Sequence, residues 1–269
     1  IKAYRLLEEN EKYYPKFLLH KKSLGLLHVF AGSIPENFKW IAKLLGFQAT
    51  VKQGLAELDV CIRHDNPVKL EAQMLNDWIK IFILKEEEVT MQHLLNANNE
   101  NKGLLFTFLT ASALKKLKMG KEALEVIEEF KTAPGVIAFP YIYYLKGSLL
   151  LYKGEYEASI KDMSAFLKEY KGLNLKKDAY YKMALAYKLK GDESTYQQYL
   201  IKTQKEGRNF FEADKQADKW AKEGINSDLR LLKARFNCDG GYVDEAERIL
   251  STVTAGSFKN IKDITEYFY

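Results

Sequence analysis

The residue types that most often carry chemistry are few in this chain and poorly placed for it. The four histidines are His20, His28, His64 and His93. His20 and His28 lie eight residues apart and can share a helix face, but no carboxylate pair completes a metal site around them. There is no HExxH and no histidine–cysteine cluster. The acidic runs Glu86–Glu88 and Glu128–Glu129 read as solvated faces or helix starts, where carboxylates favour the helix dipole. Gly240-Gly241 lacks the frame of a phosphate-binding loop and follows a helical pattern, not a strand. No serine sits in a GxSxG context. The two cysteines, Cys61 and Cys238, are far apart and each lies among apolar residues, as buried free thiols do. No enzyme activity, metal or cofactor is expected from these residues. What remains is a rich supply of aromatic and cationic side chains, 17 tyrosines among them, suited to making contacts rather than breaking bonds.

The charge balance narrows the partners. Lys and Arg total 41 against 36 Asp and Glu, for a net charge of +5. The lysines are spread along the chain, with pairs at Lys21–Lys22, Lys115–Lys116 and Lys176–Lys177 and no polybasic run. A nucleic acid or an anionic membrane surface is therefore the secondary reading. The most apolar stretch, Val136–Tyr152, contains Pro140, Lys146 and Gly147 and falls short of the ~20 apolar residues of a membrane span. The chain opens at Ile1 inside a helical pattern, so the true N-terminus is expected upstream. The compartment, cytoplasmic or periplasmic, stays open.

The elements that must position any binding surface are helices. The pattern from Phe139 to Tyr170 predicts two helices joined by a tight turn at Lys153-Gly154-Glu155, with Gly147 where they cross and Gly154 in the left-handed conformation. Before it, helical spacing covers residues 1–10, Pro15 to Ala31, a short helix after Pro35, Thr50–His64 with Thr50 as N-cap, a stretch reaching Leu84, and Val89–Leu95, which the asparagines at 96, 98 and 99 should end. Gly25 and Gly32 repeat the seven-residue spacing of Gly147 and Gly154. No long stretch alternates with period two, so no sheet is expected.

A repeat follows from Lys102 onward. A small residue precedes a turn glycine by seven at Ala113/Gly120, Gly147/Gly154, Ala184/Gly191 and Ala234/Gly241. The turn glycines are 34, 37 and 50 residues apart (120 to 154, 154 to 191, 191 to 241), and the long gap holds an extra helical segment near 210–223. These units resemble tetratricopeptide repeats, best at Tyr143–Gly147–Gly154–Tyr156–Ser159 and next at Tyr180–Ala184–Tyr187–Gly191. The unit at Gly120 has its alanine, Ala123, three residues on, which implies a shorter turn, and Tyr196 stands where a small residue is usual. A second stretch, Ile34-Pro35 with Leu44-Leu45-Gly46-Phe47, Gly54-Leu55 and Leu58, resembles the N-terminal part of a tetratricopeptide family related to inclusion-body clearance proteins, with diverged bacterial members; Phe47 would plug its turn.

The resemblance implies an all-α fold, a right-handed α-α superhelix of helical hairpins. Its parts would be a diverged region over 1–103, repeats over 104–254 and a capping helix over 255–269, as one continuous solenoid. It also implies a concave face lined by the first helix of each hairpin. In that register the inward residues are Tyr144, Ser148, Tyr152, Tyr181, Lys182, Leu185, Lys188 and Arg235. Lys182 could supply one part of the family's peptide-carboxylate clamp, and the rest of that clamp is missing. The expected function is a non-enzymatic scaffold whose tyrosine-rich, mildly basic groove takes a protein or peptide, an acidic one by preference, or a second copy of the chain.

Overall fold

The computed structural model describes residues 2–44, 46, 49–101, 103–130, 139–225, 227–258, 263 and 264. Every regular element among them is helical. The chain divides into two compact units, residues 1–101 and 102–269.

In the first unit, α1 (Lys2–Tyr13) packs on α2 (Leu19–Gly32), and α2 packs on α4 (Val51–Arg63); the short α3 (Lys39–Leu44) lies between them in sequence. Thr50 caps α4 by accepting from the Gln53 amide at 3.0 Å. The α2–α4 contact is backbone on backbone: a Cβ on Gly25 would lie 2.7 Å from the Gly54 carbonyl oxygen, and one on Gly54 would lie 2.3 Å from that of Gly25. Gly32 is not a left-handed turn residue; it is the last residue of α2 and lies against the Thr50–Val51 backbone. Val29, Leu58, Cys61, Ala72 and Ile79 form the core beneath this crossing. Then come α5 (Lys69–Ile79), a π turn (Lys80–Leu84) and α6 (Glu87–Asn101). The helix expected to stop before Asn96 runs on to Asn101. Burial of Ala97 and Asn98, at 3% and 7% exposure, outweighs the weak helix preference of the asparagines. Leu45 and Phe47 lie outside the described residues.

The second unit is a set of antiparallel hairpins: α7 (Leu104–Lys116) with α8 (Gly120–Glu129), α9 (Tyr141–Lys153) with α10 (Tyr156–Glu169), α11 (Lys176–Lys190) with α12 (Glu193–Lys205), and α14 (Leu229–Gly240) with α15 (Val243–Leu250). Gly154, Gly191 and Gly241 end their helices in the left-handed conformation, with φ of 86°, 89° and 80°. The first hairpin differs. Its left-handed residue is Lys118, with φ 58°, and Gly120 is the first residue of α8. The small residues seven before these glycines are buried: Ala113, Ala184 and Ala234, with Gly147 against Met163 and Ser159. Ser159 Oγ donates to the Gly147 carbonyl at 2.7 Å, joining α9 to α10.

The segment inserted before α14 forms α13 (Glu212–Glu223), which packs on α11 and α12. It does so through apolar Ala217 and Ala221 and through two buried ions. Asp214 accepts from the backbone amides of Leu175 and Asp178 at 2.7 and 3.2 Å, capping α11 from another helix. Lys177 donates to the Thr203 and Gln204 carbonyls at 2.9 and 2.7 Å and to Asp218 at 2.8 Å.

The last hairpin does not stack only on its predecessor. A Cβ on Gly120 would lie 2.5 Å from the Gly240 carbonyl oxygen, and one on Gly241 would lie 1.7 Å from that of Lys118. The α14–α15 turn thus meets the α7–α8 turn, and Phe236 of α14 faces Tyr152 of α9 with ring centroids 5.7 Å apart. Leu229, Leu232 and Phe236 pack on the cluster that holds Leu151, Tyr181 and Leu185. The face expected to line an open groove is covered along this length by the chain's own α14. Beyond α15, Leu231, Val253 and Phe258 pack together, after the 3-10 turn Ala255–Ser257. Phe258 is extended, and most of the expected capping helix lies outside the described residues.

Candidate functional site

Along α7, α9, α11 and α14, cations, carboxylates and tyrosines form a seam that runs from a buried end to an exposed mouth. At the buried end, Asp178 and Lys182 are one turn apart on α11, and their side chains form an ion pair. Tyr144 of α9 donates its hydroxyl to Asp178 Oδ2 at 2.5 Å, and Lys182 Nζ lies 3.1 Å from the same hydroxyl and 4.9 Å from the ring centroid. Burial, reinforced by Asp178, holds the Tyr144 phenol well above its ordinary range. This end is closed: each polar group has its partner.

The middle is not. Lys115, in the last turn of α7, is half-buried, with Nζ 5.4 Å from the centroid of the Tyr152 ring. Among the described residues it makes no hydrogen bond and no ion pair. Burial pushes its pKa down to about 8, and the neighbouring Lys182 adds to the effect against the opposing pull of Asp178 and Asp239. Tyr152, likewise half-buried, has its phenol pushed up to about 12 by burial and then by Asp239 and Asp178, with Arg235 opposing.

At the mouth, Asp239 lies between Lys118 Nζ at 3.8 Å and Arg235 Nε at 4.0 Å, separations of loose ion pairs. The Lys118 and Arg235 side chains are each 61% exposed.

Of the eight expected groove residues, the fold brings Tyr144, Tyr152, Lys182 and Arg235 into this seam. Ser148 is buried in the wall, donating to the Tyr144 carbonyl at 2.8 Å. Tyr181 and Leu185 are core residues at 6% and 7% exposure, Tyr181 against Trp220 of α13. They face α13 and α14, which an open repeat array would not place there. Lys188 lies outside the seam, paired with Glu193 at 2.6 Å and above the Tyr196 ring. The seam also recruits residues that the sequence reading did not place in the groove: Lys115, Lys118, Asp178, Phe236 and Asp239. Three of them carried a usable signal. Lys118 and Asp239 each lie five residues after the small residue of their repeat, as Tyr152 does, and Asp178 lies six before Ala184.

Two polar clusters of the first unit are closed by their own partners. In the first unit Tyr4 Oη lies 3.0 Å from His28 Nε2, and His28 Nδ1 lies 2.6 Å from Glu57 Oε2. The order resembles a nucleophile, a base and an orienting carboxylate, but Tyr4 and His28 are buried, at 4% and 3% exposure. His93 Nδ1 lies 2.7 Å from the buried carboxylate of Asp77, whose pKa burial raises, and His93 Nε2 lies 3.1 Å from Gln73. Cys61 is buried and free, and Cys238 half-buried and free. Among the described residues no cluster of His, Cys, Asp or Glu could hold a metal, and no helix is long and apolar enough to cross a membrane.

No family model, curated protein or solved structure matches this chain.

Proposed function

We propose that this chain is a non-enzymatic helical-repeat scaffold of the tetratricopeptide kind, and that the inner seam of residues 102–269 recognises an acidic segment of a partner protein. The observation that supports this reading is the seam's composition. Four cations, Lys115, Lys118, Lys182 and Arg235, surround two carboxylates, Asp178 and Asp239, and the exposed end is the cationic one. Tyrosine and phenylalanine rings flank them. An acidic segment would be steered to the mouth by charge and held by the aromatic flank.

The variant that tests this must leave the core alone. Changing Tyr181 or Tyr144 would confound binding with folding, because both are built into the helix packing. The double variant Lys118→Glu, Arg235→Glu alters only exposed side chains. It should melt like the wild type and bind a Glu/Asp-rich peptide at least tenfold more weakly in fluorescence anisotropy. Equal affinity in the two proteins would sink the reading. Salt-dependent binding of generic RNA, lost in the same variant, would favour a nucleic-acid partner instead.

A further inference from the structure

We propose that α1 is a strap held on α2 by two buried histidines, and that mild acid releases it by charging His20. Little else holds this helix. Among the described residues of α1, Tyr4 alone is buried; Ala3 and Leu6 are exposed and Leu7 is half-buried. The core beneath the α2–α4 crossing contains no residue of α1. The side-chain hydrogen bonds from α1 to buried groups of α2 fall at two places. Tyr4 Oη lies 3.0 Å from His28 Nε2, and Asn10 Nδ2 lies 3.2 Å from His20 Nδ1. Glu11 adds an ion pair with Lys21. His20 and His28 are eight residues apart on α2, and both are 3% exposed. Two imidazoles thus bridge the α1–α2 contact.

The two rings are not equivalent. His28 has a partner at each nitrogen, and Glu57 at 2.6 Å is a counter-ion for a proton gained there. His20 has one partner. With Nδ1 accepting from the Asn10 amide, the ring proton sits on Nε2, and buried Nε2 has no hydrogen-bond partner among the described residues. Charging this ring turns the Nδ1 acceptor into a donor aimed at the Asn10 amide. It also places a positive charge in a buried position beside Lys21. Turning the Asn10 amide around would restore one hydrogen bond and leave the Nε2 proton and the charge unanswered. Release of α1 lets water answer both.

The surrounding charges do not rescue the imidazolium. The titratable groups around His20 are Glu11 from α1, Lys21 and Lys22 from α2 itself, Glu57 and Cys61 from α4, and Glu71 from α5. Glu11 is engaged by Lys21, Glu57 by His28 and Glu71 by Lys22. Burial outweighs the pull of Glu11 and Glu57 and holds the His20 pKa below its ordinary 6.5. The sign follows. Once α1 leaves, His20 returns toward 6.5, so the released form takes up a proton that the docked form refuses. Docking is fully favoured above that pH and weakens as the pH falls from 6.5 toward the lowered value. The α2–α4 crossing, built from the Gly25 and Gly54 backbones over an apolar core, should hold across the same range.

The test is amide hydrogen exchange of the full chain at pH 7 and pH 5, with rates corrected for the intrinsic effect of pH. Protection of α1 should fall about tenfold at pH 5, within the ~25-fold available to a histidine that takes up its proton only on release. Protection of α4 should not change. His20→Asn keeps an amide oxygen near the Nδ1 position and cannot titrate, so its α1 should be equally protected at both pH values. Equal protection of wild-type α1 at pH 7 and pH 5 would overturn the proposal. So would loss of α1 and α4 together, which is general acid unfolding, or a pH response that survives in His20→Asn. If His20→Asn leaves α1 unprotected at both pH values, an NMR titration of the wild-type histidines decides. A His20 midpoint below 6.5 that tracks the loss of α1 protection upholds the proposal, and any other result overturns it.

Discussion

Each compact unit has a cluster of titratable side chains between packed helices, and the two clusters are completed to different degrees. In residues 1–101, Tyr4, His28 and Glu57 form a hydrogen-bonded chain with Tyr4 and His28 buried. In residues 102–269, the seam is satisfied at Asp178 and Lys182 but leaves Lys115, among the described residues, with only the Tyr152 ring and no hydrogen bond or ion pair. A closed polar network rigidifies a core, while an incomplete one carries a standing cost that a ligand can remove. The helix crossings differ in the same sense. Gly25 and Gly54 meet backbone to backbone, whereas a Cβ on Gly147 would lie 3.0–3.1 Å from the flexible side chain of Met163 and 3.2 Å from the Ser159 carbonyl oxygen.

The largest test of this contrast is at the crossings. Gly54→Ala puts a methyl group against two backbone groups, Gly25 O at 2.3 Å and Val29 N at 2.8 Å, which cannot move without separating α2 from α4. It should destabilise by about 3 kcal/mol or more in urea unfolding, while Gly147→Ala, which Met163 can accommodate, should cost about 1 kcal/mol. Equal costs would remove the distinction. Next, His28→Ala should cost roughly 2 kcal/mol, from the cavity and from the lost hydrogen bonds to Tyr4 and Glu57. A neutral result would show that the Tyr4–His28–Glu57 chain does not support the core.

The smallest effect should have the opposite sign. Lys115→Met should stabilise the chain at pH 7 by roughly 1 kcal/mol, because it removes a half-buried ammonium without a counterion. The sign with pH follows from the lowered amine. Between pH 8 and the ordinary lysine value of 10.5, the unfolded chain holds the proton that the folded chain has released. Wild-type stability from this group therefore rises across that window, and the advantage of the Met variant should shrink there. Above pH 10 the raised phenols of Tyr144 and Tyr152 act in the other direction in both proteins. A difference between the two that stays constant from pH 7 to 10 would mean that Lys115 is not held in a costly state.

What was legible in the sequence was local. Thr50 as an N-cap, Gly154 as a left-handed helix end and Gly191 and Gly241 as turn glycines depend on a few neighbouring residues, and the structure has them so. Gly120 shows the limit of that reasoning. It keeps the spacing of a turn glycine, but its small size serves the approach of the Gly240 carbonyl, a contact 120 residues away (240 − 120). Asn96–Asn99 failed for a related reason, since burial of Ala97 and Asn98 carries α6 through a run that prefers turns. Tyr181 and Leu185, expected on a concave groove face, are instead packed into a core cluster with residues of α13 and α14.

By itself, then, the sequence determined that the chain is helical, where most of its hairpins turn and which side of each helix is apolar, because these follow from periodicity and from the steric limits of single residues. The tertiary structure decided what those sides meet. The return of α14 onto α9 and the α7–α8 turn turned expected groove residues into core and gathered Lys115, Tyr152, Arg235 and Asp239 at one seam. Periodicity along a helix states that a face is buried, while the identity of its neighbour, and so the charge it is left with, is set by residues distant in the chain.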